Sequence, residues 1–118
     1  MIQVMVTGSR TYSNQEKVRY ALRKIDSVYN GNITLIHGGA KGADSLADRE
    51  AQILGWGIRI FHADWETHGK KAGPIRNQEM IDERPNIVLA FPEKRSVGTW
   101  DAIKRAKKAG IRVEIFPD

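Results

Sequence analysis

Residues Ile33-Thr34-Leu35-Ile36-His37-Gly38-Gly39-Ala40-Lys41-Gly42-Ala43-Asp44 decide how the rest of the chain is read. A β-branched, apolar run gives way to a glycine-dense turn. The turn then gives way to the helical spacing of Ala43, Leu46, Ala47, Ala51 and Leu54. A strand, a tight loop and a helix N-terminus in succession point free backbone N–H groups at one spot, beside the positive end of a helix dipole. Gly38, Gly39 and Gly42 permit φ > 0 and close backbone approach to a ligand. An anion, phosphate above all, suits such a junction; a plain strand-to-helix turn of an α/β protein has the same pattern. The Gly-Gly-x-x-Gly spacing is not Gly-x-Gly-x-x-Gly, and no Gly-Lys-Ser/Thr follows as in a P-loop.

The alternation continues outward in both directions. Ile2 to Val6 reads as a strand, followed by a helix from about Asn14 to Tyr29 with Val18, Leu22, Ile25 and Val28 on one face. Beyond the helix that begins near Ala43 and reaches Leu54, Gly55-Trp56-Gly57 breaks the chain and Ile58 to His62 forms a third strand. Ala63 to Ala72 reads as a polar loop. Pro74 suits the first turn of a short helix reaching about Glu83. Ile87 to Phe91 is a fourth strand, Pro92 to Val97 a loop, Thr99 to Ala109 a last helix stopped by Gly110, and Arg112 to Phe116 a fifth strand.

Five short strands separated by helices predict an α/β, three-layer Rossmann-like fold: a five-stranded parallel sheet with helices on both faces and right-handed crossovers. The expected strand order is 3-2-1-4-5. In such sheets ligands bind beyond the carboxyl ends of the strands, where the winding direction reverses. That rule singles out Thr7-Gly8-Ser9-Arg10, Gly38 to Asp44, and Pro92 to Thr99.

At 118 residues the chain forms one domain, 1–118, around one core. Its 41% hydrophobic and 28% charged residues are ordinary for a soluble globular protein. There is no cysteine, hence neither a disulfide framework nor a thiolate metal site, which suits a reducing cytoplasm. The first residues lack the pattern of a signal peptide, and no apolar run approaches the roughly 20 residues of a membrane helix. The expected location is cytoplasmic, with no membrane partner. The net charge of +5 favours anionic partners. Lys104, Arg105, Lys107 and Lys108 fit a solvated helix end, whereas Lys70, Lys71 and Arg76 sit in a Gly/Pro-containing stretch.

Within the three loops, Gly8 and Ser9 allow a sharp turn and Arg10 offers a planar fork to a phosphate or carboxylate. Lys41 lies near any phosphate on the second loop. Asp44 stands in the first helical turn, as a cap or as an acceptor for a ribose hydroxyl. Arg76 can clamp an anion, and Asn77 can read a polar group or cap locally. Gly98 and Thr99 repeat the anion-site logic at the last helix, although Thr99 is also a good N-cap. His37, His62 and His68 lack metal-ligand spacing, so no metal site is expected. Trp65 is placed either to stack on a base or to pack beneath the following loop.

As a set, Val6-Thr7-Gly8-Ser9-Arg10, His37 to Asp44, Ala63-Asp64-Trp65, Ala72 to Met80, Ala90-Phe91-Pro92 and Gly98-Thr99 resemble the SLOG superfamily. This is the Rossmann-like group that contains LOG-type and DprA/Smf proteins, and the nearest likeness is to its stand-alone YspA-like (YpsA-related) branch. The resemblance implies a nucleotide or nucleotide-derived ligand at the strand ends, with no further cofactor, and a homodimer by analogy with LOG-like relatives. LOG-type relatives cleave the N-glycosidic bond of nucleoside 5′-monophosphates with an Arg before a Met and a Glu in Pro-Gly-Gly-x-Gly-Thr-x-x-Glu. Arg76 and Met80 fit the first part. In the second, the glycine pair is missing and Ala102 stands where the Glu belongs. Asp101 is one residue early, about 100° around the helix.

Three functions follow as expectations. The first is binding or sensing of a nucleotide or an ADP-ribose-like derivative, with phosphate on Gly38, Gly39, Ala40, Lys41 and Gly42 and on Gly98-Thr99. The second is a phosphoribohydrolase using Arg76 with Asp101, Glu79 or Asp44. The third is DprA-like binding of single-stranded nucleic acid through the basic surface.

Overall fold

Alternation along the first strand sets the architecture. Val4 and Val6 point to one face of the sheet and Met5 to the other, and all three are fully buried. In the computed structural model, which describes residues 1–117, the strands are β1 (Ile2–Gly8), β2 (Ile33–His37), β3 (Gly57–Ile60), β4 (Ile87–Phe91) and β5 (Val113–Ile115). All pairings are parallel, in the order β3-β2-β1-β4-β5, as the alternating pattern predicts. The central pair, β1 and β4, aligns Val4 with Ile87 and Gly8 with Phe91.

Helices α1 (Gln15–Tyr29) and α2 (Ala43–Leu54) lie on one face. There Val18, Leu22, Ile25, Ala47 and Ala51 join Val4, Val6, Leu35, Leu89 and Phe91 in the larger core. The other face is covered by α4 (Ala72–Asp82) and α5 (Val97–Lys108). Met80, Ile81, Ala102 and Ala106 pack there with Met5, Ile36 and Val88. Asn14 starts α1 by accepting the Lys17 N–H on its side chain at 3.2 Å, and Gly55 ends α2 in the left-handed conformation. Among the described residues no helix is long and apolar enough to cross a membrane.

The structure departs from the sequence reading at the ends of elements. β1 runs on to Gly8 because Thr7 and Gly8 pair with Ala90 and Phe91. β3 starts at Gly57 and stops at Ile60, the last residue to pair with His37. The expected loop from Ala63 to Ala72 contains α3 (Trp65–His68) and one 3-10 turn (Gly69–Lys71) leading into α4. Asp64 caps α3, accepting the Thr67 N–H at 3.1 Å. α5 begins at Val97 rather than Thr99. Ser96 occupies its N-cap position, so Thr99 is a buried first-turn residue and not the cap. Val28, expected on the apolar face of α1, is exposed in the last turn of that helix.

Gly42 shows how tightly the β1 and β2 loops meet. It sits at φ 75°, and a Cβ there would lie 2.2 Å from the Ser9 carbonyl oxygen. Ala43 donates its N–H to that same oxygen at 3.2 Å. Gly42→Ala combines left-handed strain with a backbone clash, so we expect a loss of at least about 2 kcal/mol. Urea denaturation with an unchanged m-value would measure it.

Candidate functional site

The order reverses between β1 and β4, and there the strand ends open into a cleft of about 500 Å³. Gly8, Ser9 and Arg10 enter it from the end of β1, and Ala40 and Asp44 from the β2 loop and α2. Trp65, Lys70, Gly73, Arg76, Asn77 and Met80 line it from α3 to α4; Arg95, Ser96, Val97, Gly98, Thr99 and Asp101 line it from the start of α5. Ten of the residues singled out in the sequence therefore meet here: Gly8, Ser9, Arg10, Ala40, Asp44, Arg76, Asn77, Gly98, Thr99 and Asp101.

The glycine loop is built differently from the open cradle its sequence suggests. Asp44 Oδ2 accepts the N–H groups of Gly38 at 3.1 Å and Ala40 at 3.3 Å. The Gly39 N–H donates to His37 Nδ1 at 2.9 Å, which leaves the ring proton on Nε2, 2.7 Å from Asp48 Oδ2. The amides of Gly38, Gly39 and Ala40 thus serve the protein's own groups. A Cβ on Gly38 would stand 2.3 Å from Arg76 Nη1, so the missing side chain makes room for a guanidinium. Gly38, Gly39, Lys41 and Gly42 do not line the cleft; they hold up its wall.

Arg76 spans that wall. Its Nη1 donates to the Gly38 carbonyl at 2.8 Å and its Nε to Asn77 Oδ1 at 3.1 Å. Burial lowers its pKa, Asp44 opposes that effect, and the neighbouring Arg10 charge adds to it. Asp44, 5% exposed, has its carboxyl pushed above the ordinary value by burial, against the pull of His37, Arg76 and the two loop amides.

Asn77 is buried and its amide is fully engaged. Nδ2 donates to the Gly98 carbonyl and to Asp101 Oδ2, each at 3.1 Å. It positions its neighbours, and both of its N–H donors are spent on them. Asp101 Oδ2 also accepts Arg105 Nε at 2.9 Å. Partial burial acts upward on the Asp101 carboxyl, but the hydrogen bonds from Arg105 and Asn77 and nearby positive charge hold it below its ordinary value. Glu79 is exposed on the outer side of α4 and lines a separate shallow depression with Lys71, Ile75 and Asp82. The Ser9 and Thr11 hydroxyls both donate to the Glu93 carboxylate, which ties the β1 loop to the β4 loop.

The unfilled valences lie at α5. Val97 N–H bonds to Arg95 O and Trp100 N–H to Ser96 O. Gly98 and Thr99 N–H make no bond among the described residues, and the Ser96 side chain does not cap. Gly98 faces open space, since a Cβ there would meet nothing within 4 Å. Around this helix end Arg10, Lys70 and Arg95 line the cleft without a carboxylate partner among the described residues. Arg95 and Lys70 were not among the sequence candidates for the site. Arg95 lay within the Pro92–Thr99 loop already singled out, and Lys70 within the basic Gly/Pro stretch.

Fold and cleft together define a Rossmann-like domain with an open cleft at the topological switch point. Residues 2–68, more than half of the chain, match the family described as YspA, cpYpsA-related SLOG, and the chain belongs to that family. The Gene 61 protein of Mycobacterium phage D29 is 43% identical over 129 residues, covering 100% of this chain and 98% of that protein. Among solved structures, DNA processing protein A (DprA) from Streptococcus pneumoniae superimposes with a TM-score of 0.76 at 20% identity. That match takes in 100% of this chain and 51% of DprA, so the present chain spans about half of that protein. TM1055, a Northeast Structural Genomics Consortium target, gives a TM-score of 0.69 at 19% identity over 96% of this chain and 72% of its own. At such identities the likeness to both structures is one of fold.

Two outcomes follow from this geometry. Asn77→Ala orphans the Gly98 carbonyl and Arg76 Nε and should cost about 1–3 kcal/mol in urea unfolding. Asp44→Asn keeps an oxygen to accept the two loop amides but removes the ionisation. A carboxyl raised in the folded state stabilises below its ordinary value of 3.8, and that contribution is lost as pH rises through the elevated folded value. The wild-type-minus-variant stability difference should therefore decline across that window in a pH series of melting curves.

Proposed function

We propose that the domain binds or senses a nucleotide or nucleotide-derived ligand at the ends of β1 and β4. One observation carries this reading: two N–H groups in the first turn of α5, at Gly98 and Thr99, unbonded among the described residues, lie at a cleft lined by Arg10, Lys70 and Arg95. Backbone amides at a helix N-terminus and flexible cations suit a phosphate, and they are worth most where the protein leaves them otherwise unpaired. Family membership supports the class of ligand through the SLOG resemblance. In this reading the phosphate rests at α5, while the Gly38–Gly42 loop fixes Arg76 at its side. The Arg10 charge acts on Arg76, both line the cleft, and an anion bound there would relieve their repulsion.

A second reading, a phosphoribohydrolase, is favoured by one feature. Asp44 lines the cleft close enough to Arg76 for their charges to interact, and a carboxyl raised by burial is suited to general-acid work. Against it, Asp101 is occupied by Arg105 and Asn77, and Glu79 lies outside the cleft. Binding of single-stranded nucleic acid, suggested by the name of DprA, uses the same charge and is distinguished by its steep salt dependence.

Titration calorimetry with AMP, ADP-ribose, NAD and cyclic nucleotides is the direct test. Binding of at least one is expected, with Arg10→Ala weakening it about 10- to 100-fold, the value of a charge-assisted hydrogen bond. No heat with any of the four classes would refute the reading. Release of free base from nucleoside monophosphates, abolished by Asp44→Asn, would move the assignment to the hydrolase.

A further inference from the structure

We infer that Trp65 is the platform on which an aromatic base stacks, so that the site selects base-bearing phosphates over bare sugar phosphates. This rests on the nucleotide reading of the cleft and adds to it the residue that discriminates.

The three tryptophans differ in what they do. Trp56 is buried, and its indole N–H donates to Asp26 Oδ1 at 2.9 Å. Trp100 is 45% exposed and lines a separate surface depression with Pro92 and Pro117. Trp65 is 50% exposed, lines the cationic cleft, and its indole N–H has no hydrogen bond among the described residues. A core-packing role does not explain it, because α3 and the 3-10 turn contain no buried residue.

Its position is nevertheless defined. The Asp64 cap fixes Trp65 as the first residue of α3. The far edge of its ring rests on α4, where a Cβ on Gly73 would lie 3.5 Å from Trp65 Cη2. Gly73 and Arg76 are three apart on α4, hence neighbours on one helix face. The point where the ring meets α4 therefore stands one turn from Arg76, and both Trp65 and Arg76 line the cleft. An amphipathic indole beside a phosphate clamp matches a ligand with a flat apolar end and a charged end.

Stacking of a base on an aromatic side chain corresponds to about 5- to 150-fold in affinity on alanine substitution. The test compares AMP with ribose 5-phosphate, which has the same phosphate and sugar but no base, on wild type, Trp65→Ala and Trp65→Phe. Wild type should bind AMP more tightly by a factor in that range. Trp65→Ala should bring AMP down toward ribose 5-phosphate and leave the latter within about twofold, while Trp65→Phe keeps most of the preference. AMP should also quench a component of tryptophan fluorescence that Trp65→Phe lacks. Equal affinity of wild type for the two ligands, or a Trp65→Ala loss shared equally by both, overturns the inference while leaving the phosphate site standing. Absence of binding by either ligand to wild type removes the nucleotide reading itself. Trp65→Phe, which retains a ring on an exposed helix, keeps the comparison interpretable should Trp65→Ala fold poorly.

Discussion

The hydrogen bond from the Arg76 guanidinium to the Gly38 carbonyl joins α4 to the end of β2, and the form of the cleft depends on it. Arg76 occupies the space that a side chain at residue 38 would fill. From there the network passes through Asn77 to the Gly98 carbonyl and Asp101, and on to Arg105. A buried cation is tolerated only where its donors are satisfied. Here the acceptors come from the backbone of the β2 loop and from the neighbouring amide on α4, with Asp44 close enough to offset the charge. Two adjacent side chains, Arg76 and Asn77, thereby link three elements: the glycine loop, α4 and the first turn of α5.

The division of labour among the loops follows. Glycine-dense sequence favours close approach, but it does not say what approaches. At Gly38 the partner is Arg76, at Gly42 it is the Ser9 carbonyl, and at Gly8 a Cβ would meet Ala43 Cβ at 2.3 Å. All three glycines serve the seam between strands and helices. Gly98 alone among the cleft-lining glycines has no atom within 4 Å of where a Cβ would lie, whereas a Cβ on Gly73 would meet the Trp65 ring at 3.5 Å. Open space is left where packing demands nothing.

Much of the fold was legible because hydrophobic period and punctuation agree. β2, α2 and β4 run where the apolar runs and glycines place them, and the strand order follows from alternation with short crossovers. α3 was not legible: with no buried residue it has no apolar stripe, and its only local signal is the Asp64 cap. The early start of α5 was hidden because Val97 and Gly98 are exposed and resemble loop residues. In the site, the meeting of the three loops was legible from topology. The inward-facing amides were not, since they depend on a buried Asp44 and on Arg76, whose contact with Gly38 spans 38 residues. Glu79 illustrates the same limit. It is the i+3 neighbour of Arg76 on α4, yet its side chain is exposed and lines the outer depression, whereas Asn77 next to Arg76 is buried.

The register of β1 against β4 has a consequence for biosynthesis. Ser9 and Thr99, 90 residues apart in the sequence, reach the same cleft only after Val4 has paired with Ile87. Closing so long a loop is entropically demanding and late. A nascent chain emerging from the ribosome through α3 would already carry its glycine turn, yet have no vessel in which to hold anything. The cleft is therefore a property of the assembled sheet, completed only when β4 and α5 join the earlier strands.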